Sequence, residues 1–338
     1  MKKSIIALAV FSAASGVATA ATNVTLYGRV DVGYTDTTKD GDSVSQDGGG
    51  QTRLGVSGQE DLGNGLAATF QMEGRFDADT GSKTAGKSFF DRESTVGLKG
   101  AFGHVRFGRS TSSMERGLGF VNVGRRIHDL SPYASAARHS NAAFYDYTNG
   151  AFSVGGDITT KGGYNDDGTV ANEGKDDTKV GYGVYGKYSA NGFTAGLAYQ
   201  ADNVKSNSSA LTYPKDAKMA KEYGLALSYN YKPITVGASY ARGEDDATNS
   251  TAKSRIWHAF ISGAITPNDT LAAIYHNDKR KHTTTASTTT YKNEDSYGLE
   301  YVHSLSKRTS VYADVKRVSD KLSDKDYTAW DIALRHNF

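Results

Sequence analysis

Connections in this sequence alternate without exception between short turns and long polar loops, and the segments they join repeat with a period of two residues. That period is a β-strand with one apolar and one polar face. In the first segment Val24, Leu26, Gly28, Val30 and Val32 share one face, while Thr25, Tyr27, Arg29 and Asp31 share the other. Leu66, Ala68, Phe70 and Met72 oppose Thr69, Gln71, Glu73 and Arg75 in the same way. The chain ends with Trp330, Ile332, Leu334 and Phe338 against Asp331, Arg335 and Asn337. Sixteen such segments are expected, near 23–34, 51–60, 65–76, 89–100, 104–110, 139–148, 151–160, 178–189, 192–201, 220–231, 233–242, 254–265, 270–278, 294–304, 309–318 and 327–338. Most approach the length of about 9–11 residues that a tilted membrane strand needs.

The short connections fall at 61–64, 101–103, 149–150, 190–191, 232–233, 267–269 and 305–308. They carry Gly and Asn for positive φ and Pro for fixed φ. Long ones fall near 35–50, 77–88, 111–138, 161–177, 202–219, 243–253, 279–293 and 319–326, rich in Asp, Lys, Ser, Thr and Gly. A soluble β-sandwich, such as a surface adhesin or lectin, mixes loop lengths at both ends. An up-and-down transmembrane barrel puts short turns at one end and long loops at the other. The mean hydropathy of −0.52 suits a barrel, because only alternate residues meet lipid. None of the four prolines falls inside a strand ladder. Tyr34, Tyr147, Tyr188, Tyr199, Tyr231 and Tyr240 sit near segment ends, as an interfacial girdle or plain β propensity would place them. Without cysteine, the chain is neither a disulfide scaffold nor a thiolate metal site.

Residues 1–20 read as a secretory signal peptide. Lys2 and Lys3 precede an apolar run from Ile5 to about Ser15, and Ala18-Thr19-Ala20 fits the cleavage rule. The run is too short to span a bilayer. The remainder, 21–338, is then a single barrel with 37 basic and 37 acidic residues. That balance gives no reason to expect nucleic acid as a partner.

Several stretches resemble the general trimeric porins of β-proteobacteria, of the neisserial and burkholderial type. They are Val24-Thr25-Leu26-Tyr27-Gly28, the run from Arg53 to Leu66, Ser94 to Gly100, Val105 to Arg109, Leu305 to Thr309, and the ending Arg335-His336-Asn337-Phe338. The resemblance implies a 16-stranded antiparallel β-barrel, usually a homotrimer, in the outer membrane of a Gram-negative cell. It implies a third long loop, about 111–138, folded into the lumen as a constriction. It also implies a passive path for ions and small hydrophilic solutes, with outer-membrane lipid and lipopolysaccharide around it.

In such porins, arginines on the barrel wall face that loop. By local motif Arg53, Arg92 and Arg138 match the cluster, and Arg109 resembles an arginine at the end of the same strand in enteric porins. Phase supports Arg53 and Arg138. Arg92 shares phase with Val96 and Leu98, so either a bulge intervenes or Glu93 is the lumen residue; Arg109 shares phase with Phe107. The loop itself holds Glu115, Arg116, Arg125, Arg126, His128 and Asp129. Its arginine excess predicts a mild anion preference, since charged rings at a narrow point set ion selectivity. His128-Asp129 and His139-Ser140 are the only neighbours suggestive of catalysis, and extended dipeptides point to opposite faces. Asn165-Asp166-Asp167-Gly168 and Glu244-Asp245-Asp246 lack the ligand spacing of a calcium loop. The expectation is a pore without enzyme activity, cofactor or metal. The nearer alternative is an eighteen-stranded substrate-selective channel.

Overall fold

The computed structural model describes residues 22–38, 41–45, 52–128, 130–160, 180–201, 221–247, 250–284 and 287–338. The expected signal peptide lies outside them. Sixteen long strands close into one antiparallel barrel. They are β1 (Thr22–Thr37), β2 (Arg53–Gly63), β3 (Leu66–Asp77), β4 (Glu93–Gly100), β5 (Gly103–Thr111), β6 (Arg138–Asn149), β7 (Phe152–Thr159) and β8 (Gly181–Ala190). The circuit continues with β9 (Phe193–Ala201), β10 (Lys221–Tyr231), β11 (Ile234–Ala247), β12 (Ser250–Ala264), β13 (Asp269–Thr284), β14 (Thr288–Ser304), β15 (Thr309–Asp320) and β16 (Lys325–Asn337). Two short stretches add to the wall. Gly41–Ser45 pairs with the end of β1, above the β2 ladder, and Ser82–Lys83 pairs with the end of β3.

Closure uses both halves of β1. Thr22 to Arg29 pair with β2, and Arg29 to Thr37 pair with β16. Phe338 and Gly28 exchange two backbone hydrogen bonds of 3.1 Å. The last residue therefore seals the ladder, and every barrel strand has two neighbours, which the hydrocarbon requires of backbone groups.

Burial is inverted relative to a soluble protein. Leu26, Val96, Phe107, Leu197 and Ile332 are exposed, while Asp31, Glu73, Asp157, Glu222 and Asp331 are buried. The apolar phase of each strand faces lipid and the polar phase faces the lumen. Outward aromatic rings form a belt near each end. At the loop end Tyr240 meets Trp257 at 4.5 Å between ring centres, and Tyr275 meets Tyr297 at 5.3 Å. At the turn end Phe152 meets Tyr188 at 4.9 Å.

Two expected loops are mostly strand. Segments 243–253 and 279–293 continue the β11–β12 and β13–β14 ladders, up to Ala247↔Ser250 and Thr283↔Thr288. Beyond the hydrocarbon neither face must be apolar, so these strand ends have the composition of a loop. Glu244-Asp245-Asp246 is thus ladder, whereas 165–168 lies outside the described residues. The fourth strand starts at Glu93, not near 89.

Candidate functional site

The third long connection, from Ser112 to Ala137, turns into the barrel. A 2.9 Å bond from the Ser112 N–H to the Ala137 carbonyl closes its base. Helix α1 (Ser113–Leu118) starts it, with the Ser112 hydroxyl accepting from the Glu115 N–H. Two 3₁₀ turns follow, at Gly119–Val121 and Arg126–His128.

An apolar contact and several polar anchors hold the loop to one side of the wall. Met114, Leu118, Val121 and Tyr133 pack on Ala198, Ala226, Ala241, Ile256, Phe260 and Ile274 of β9–β13. These are lumen-phase positions, apolar because the loop covers them. Gly196 permits the approach: a Cβ there would lie 2.0 Å from the Gly117 carbonyl oxygen. At the start of the loop, the Ser113 N–H (2.8 Å) and hydroxyl donate to Asp157, whose other oxygen lies 2.6 Å from His139 Nδ1. In its second half, the Ala134 and Ser135 N–H groups donate to the Glu222 carboxylate at 2.6–2.9 Å. At the tip, the Arg125 N–H donates to Glu300 at 2.8 Å, and Lys316 donates to the Ile127 carbonyl.

Opposite the loop, the wall is cationic. Arg29, Arg53 and Arg75 stand in one register row across β1–β3. With Arg92, Arg138, Arg335 and Lys87 they line a cavity of about 480 Å³, to which the loop contributes Arg125, Tyr133 and one acid, Glu115. Acids behind the row hold it: Glu73 meets Arg92 and, at 3.7 Å, Arg53. Asp91 accepts from Arg75 at 2.6 Å, and Asp31 from Arg335 at 2.6 Å. Arg138 donates to the Arg92 carbonyl at 3.1 Å. A second row, Glu300, Asp314 and Asp331, is also in register across β14–β16, but it is buried.

The structure therefore brings Arg53, Arg92, Arg138, Glu115 and Arg125 to one cavity. Arg92 reaches it because it precedes β4 and does not follow that strand's phase. Glu93 is buried on the lumen side as well. Arg109 does not line the cavity. A ladder irregularity between Gly108 and Ser110, with Gly108 at φ +124°, turns it inward behind the wall. There it donates to the Asp91 carbonyl at 2.6 Å and to Ser140 at 2.8 Å. Arg116 turns away to share Asp146 with Arg106. The Arg126 side chain and Asp129 lie outside what the structure describes. Sequence phase already put Arg29, Arg75 and Arg335 on polar faces; strand register is what puts them at one height.

His139, Asp157 and Ser113 meet although no sequence spacing suggested it. The serine donates to the aspartate and not to the histidine, and all three are buried, so this is a loop anchor. Among the described residues no group of three His, Cys, Asp or Glu side chains is placed to hold a metal.

The profile of a family described as Gram-negative porin matches residues 7–323. Outer membrane porin protein 32 of Delftia acidovorans is 30% identical over 363 residues, covering 95% of this chain and 90% of that protein. Among solved structures, an anion-selective porin from Comamonas acidovorans superimposes with a TM-score of 0.64 at 24% identity, covering 94% of this chain and all of that one. The trimer form of OmpT from Vibrio cholerae gives 0.70 at 15% identity, covering 94% and 99%.

Proposed function

This chain belongs to the Gram-negative porin family, and on that footing we propose that its loop-narrowed lumen prefers anions. The protein is an outer-membrane barrel and a passive diffusion channel for ions and small hydrophilic solutes. The anion preference rests on one observation: the cavity beside the loop presents seven arginines and Lys87 against Glu115. A ring of charge in a low-dielectric wall raises the local concentration of its counter-ion. Solute size is limited at the same place. Liposomes carrying the purified protein should take up a small organic anion faster than a cation of equal size. Faster cation uptake would overturn the reading.

The working unit in this proposal is a homotrimer, supported by the trimer form of the OmpT relative in fold. Residues 1–20 are removed on export, and the mature chain starts at Ala21, which N-terminal sequencing of membrane-extracted protein checks. No step of chemistry is assigned to the lumen. Outer-membrane lipid and lipopolysaccharide surround the outward face.

A further inference from the structure

On the lipid side of β11–β13, two rows of cations stand just beyond the loop-end aromatic belt. Arg242 lies directly opposite Arg255, and Arg255 directly opposite Lys279. One step further out, Glu244 opposes Lys253, and Lys253 opposes Lys281. The same strands carry Tyr240, Trp257 and Asn277 immediately below in the same outward phase, with Tyr275 one outward position further down. Like charges directly opposite in a ladder are destabilising. Elsewhere at this height the cations are answered: Arg317 pairs with Asp326 at 2.7 Å, and Lys321 pairs with Asp295. Among the described residues no acid pairs with Arg242, Arg255, Lys279 or Lys281; Glu244 meets Lys253 at 3.9 Å.

A second observation lies below the patch. An outward groove of about 640 Å³ runs along β12–β15, lined by Ala259, Ile261, Ala273, Leu299 and Val315 and flanked by Tyr275 and Tyr297. Alanines at 259 and 273 leave this space where larger apolar residues occupy the neighbouring outward positions.

We propose that this face is a binding site for a phosphorylated lipid of the outer leaflet, with headgroup phosphates on the cation rows and an acyl chain in the groove. Five cations against Glu244 leave four positive charges. Two phosphate monoesters, at roughly −1.5 to −2 each, balance them. Strand and residue spacings make the patch about 10 by 7 Å, enough for two phosphates on one headgroup. Bound phosphate relieves the three like-charge oppositions, Arg242–Arg255, Arg255–Lys279 and Lys253–Lys281, through charge-assisted hydrogen bonds. The site rests on the outer-membrane reading, which sets which end of the barrel meets the outer leaflet.

The test uses the purified, folded full chain in detergent. Native mass spectrometry would measure retention of three probes: bis-phosphorylated lipid A, the same lipid after phosphatase treatment, and inorganic phosphate. The expected result is that intact lipid A binds more than about tenfold tighter than the dephosphorylated lipid, and that R255E/K279E removes that advantage. A273W, which fills the groove without changing charge, should weaken lipid A and leave inorganic phosphate unaffected. Equal retention of both lipids, or unchanged lipid A binding by R255E/K279E, would overturn the proposal. Displacement by inorganic phosphate at equal concentration would make this a phosphate site and no lipid site. Loss of oligomer in R255E/K279E with lipid binding intact would make it a subunit contact. Conductance of the same preparations is read separately: wild-type protein that binds lipid but does not conduct counts against the channel, not against this site.

Discussion

Arg29 stands directly opposite Arg53 in the ladder of β1 and β2, and both line the cavity that faces the inward loop. Arg75 extends the row on β3. Opposed like charges of this kind cost about 0.2–1 kcal/mol each. The wall carries that cost at its narrow point, with Glu73 and Asp91 behind to limit it.

Charge reversal in this row is expected to change selectivity more than stability. Arg53→Glu removes a cation and adds an acid facing Arg29. The chloride-to-potassium permeability ratio should fall several-fold, while the heat-modifiable folded form persists. Arg109→Gln, which touches the wall from behind, should leave the ratio unchanged. Planar-bilayer reversal potentials of the two variants check both statements.

Asp157→Ala should loosen the loop. The carboxylate accepts from the Ser113 N–H and hydroxyl and meets His139. Each buried polar group left without its acceptor costs about 1–3 kcal/mol. Those groups bear on loop docking, because the barrel ladder is untouched. The variant should show larger, noisier single-channel currents and admit larger neutral sugars in liposome swelling.

Gly196→Val should act through sterics at the same interface. Its Cβ would fall 2.0 Å from the Gly117 carbonyl oxygen, which is backbone and cannot swing aside. Overpacking of this kind costs about 1–3 kcal/mol. Helix α1 must leave the wall, and protease cleavage within 113–137 should become faster than in wild type.

Acid should weaken docking of the loop tip. Burial, with the Lys316 ammonium beside it, holds the His128 imidazole down to about 4, against an ordinary 6.5. Above pH 6.5 both docked and undocked forms are neutral, and the contribution is complete. As pH falls from 6.5 toward 4 the undocked loop takes the proton first, and on the order of 3 kcal/mol of docking is lost. Current noise in wild type should rise across that window. His128→Gln should flatten the rise, leaving only what the lumen carboxylates contribute.

Much of the barrel was legible because a membrane strand carries its own label. Val24, Leu26 and Leu54 must face lipid, so phase and length follow from the residues. Phase also marked the lumen arginines. It could not say which of them share a height, because register is set by turn geometry; the Arg29–Arg53–Arg75 row appears only once the ladders are paired. Phase put Arg109 with Phe107 on the lipid face, but Gly108 breaks that phase locally and the side chain turns inward. Met114 and Leu118 give no sign of their contacts with Ala198 and Ile256, since a loop packed into a lumen leaves no period. The ends of β11–β14 read as loop because outside hydrocarbon a strand needs no apolar face.

The most direct test is the zero-current potential of single insertions of the wild-type protein in a planar bilayer under a KCl gradient. The cation-lined constriction predicts steady open channels whose zero-current potential lies on the chloride side. A potential on the potassium side, or no conductance from folded, heat-modifiable protein, would contradict it.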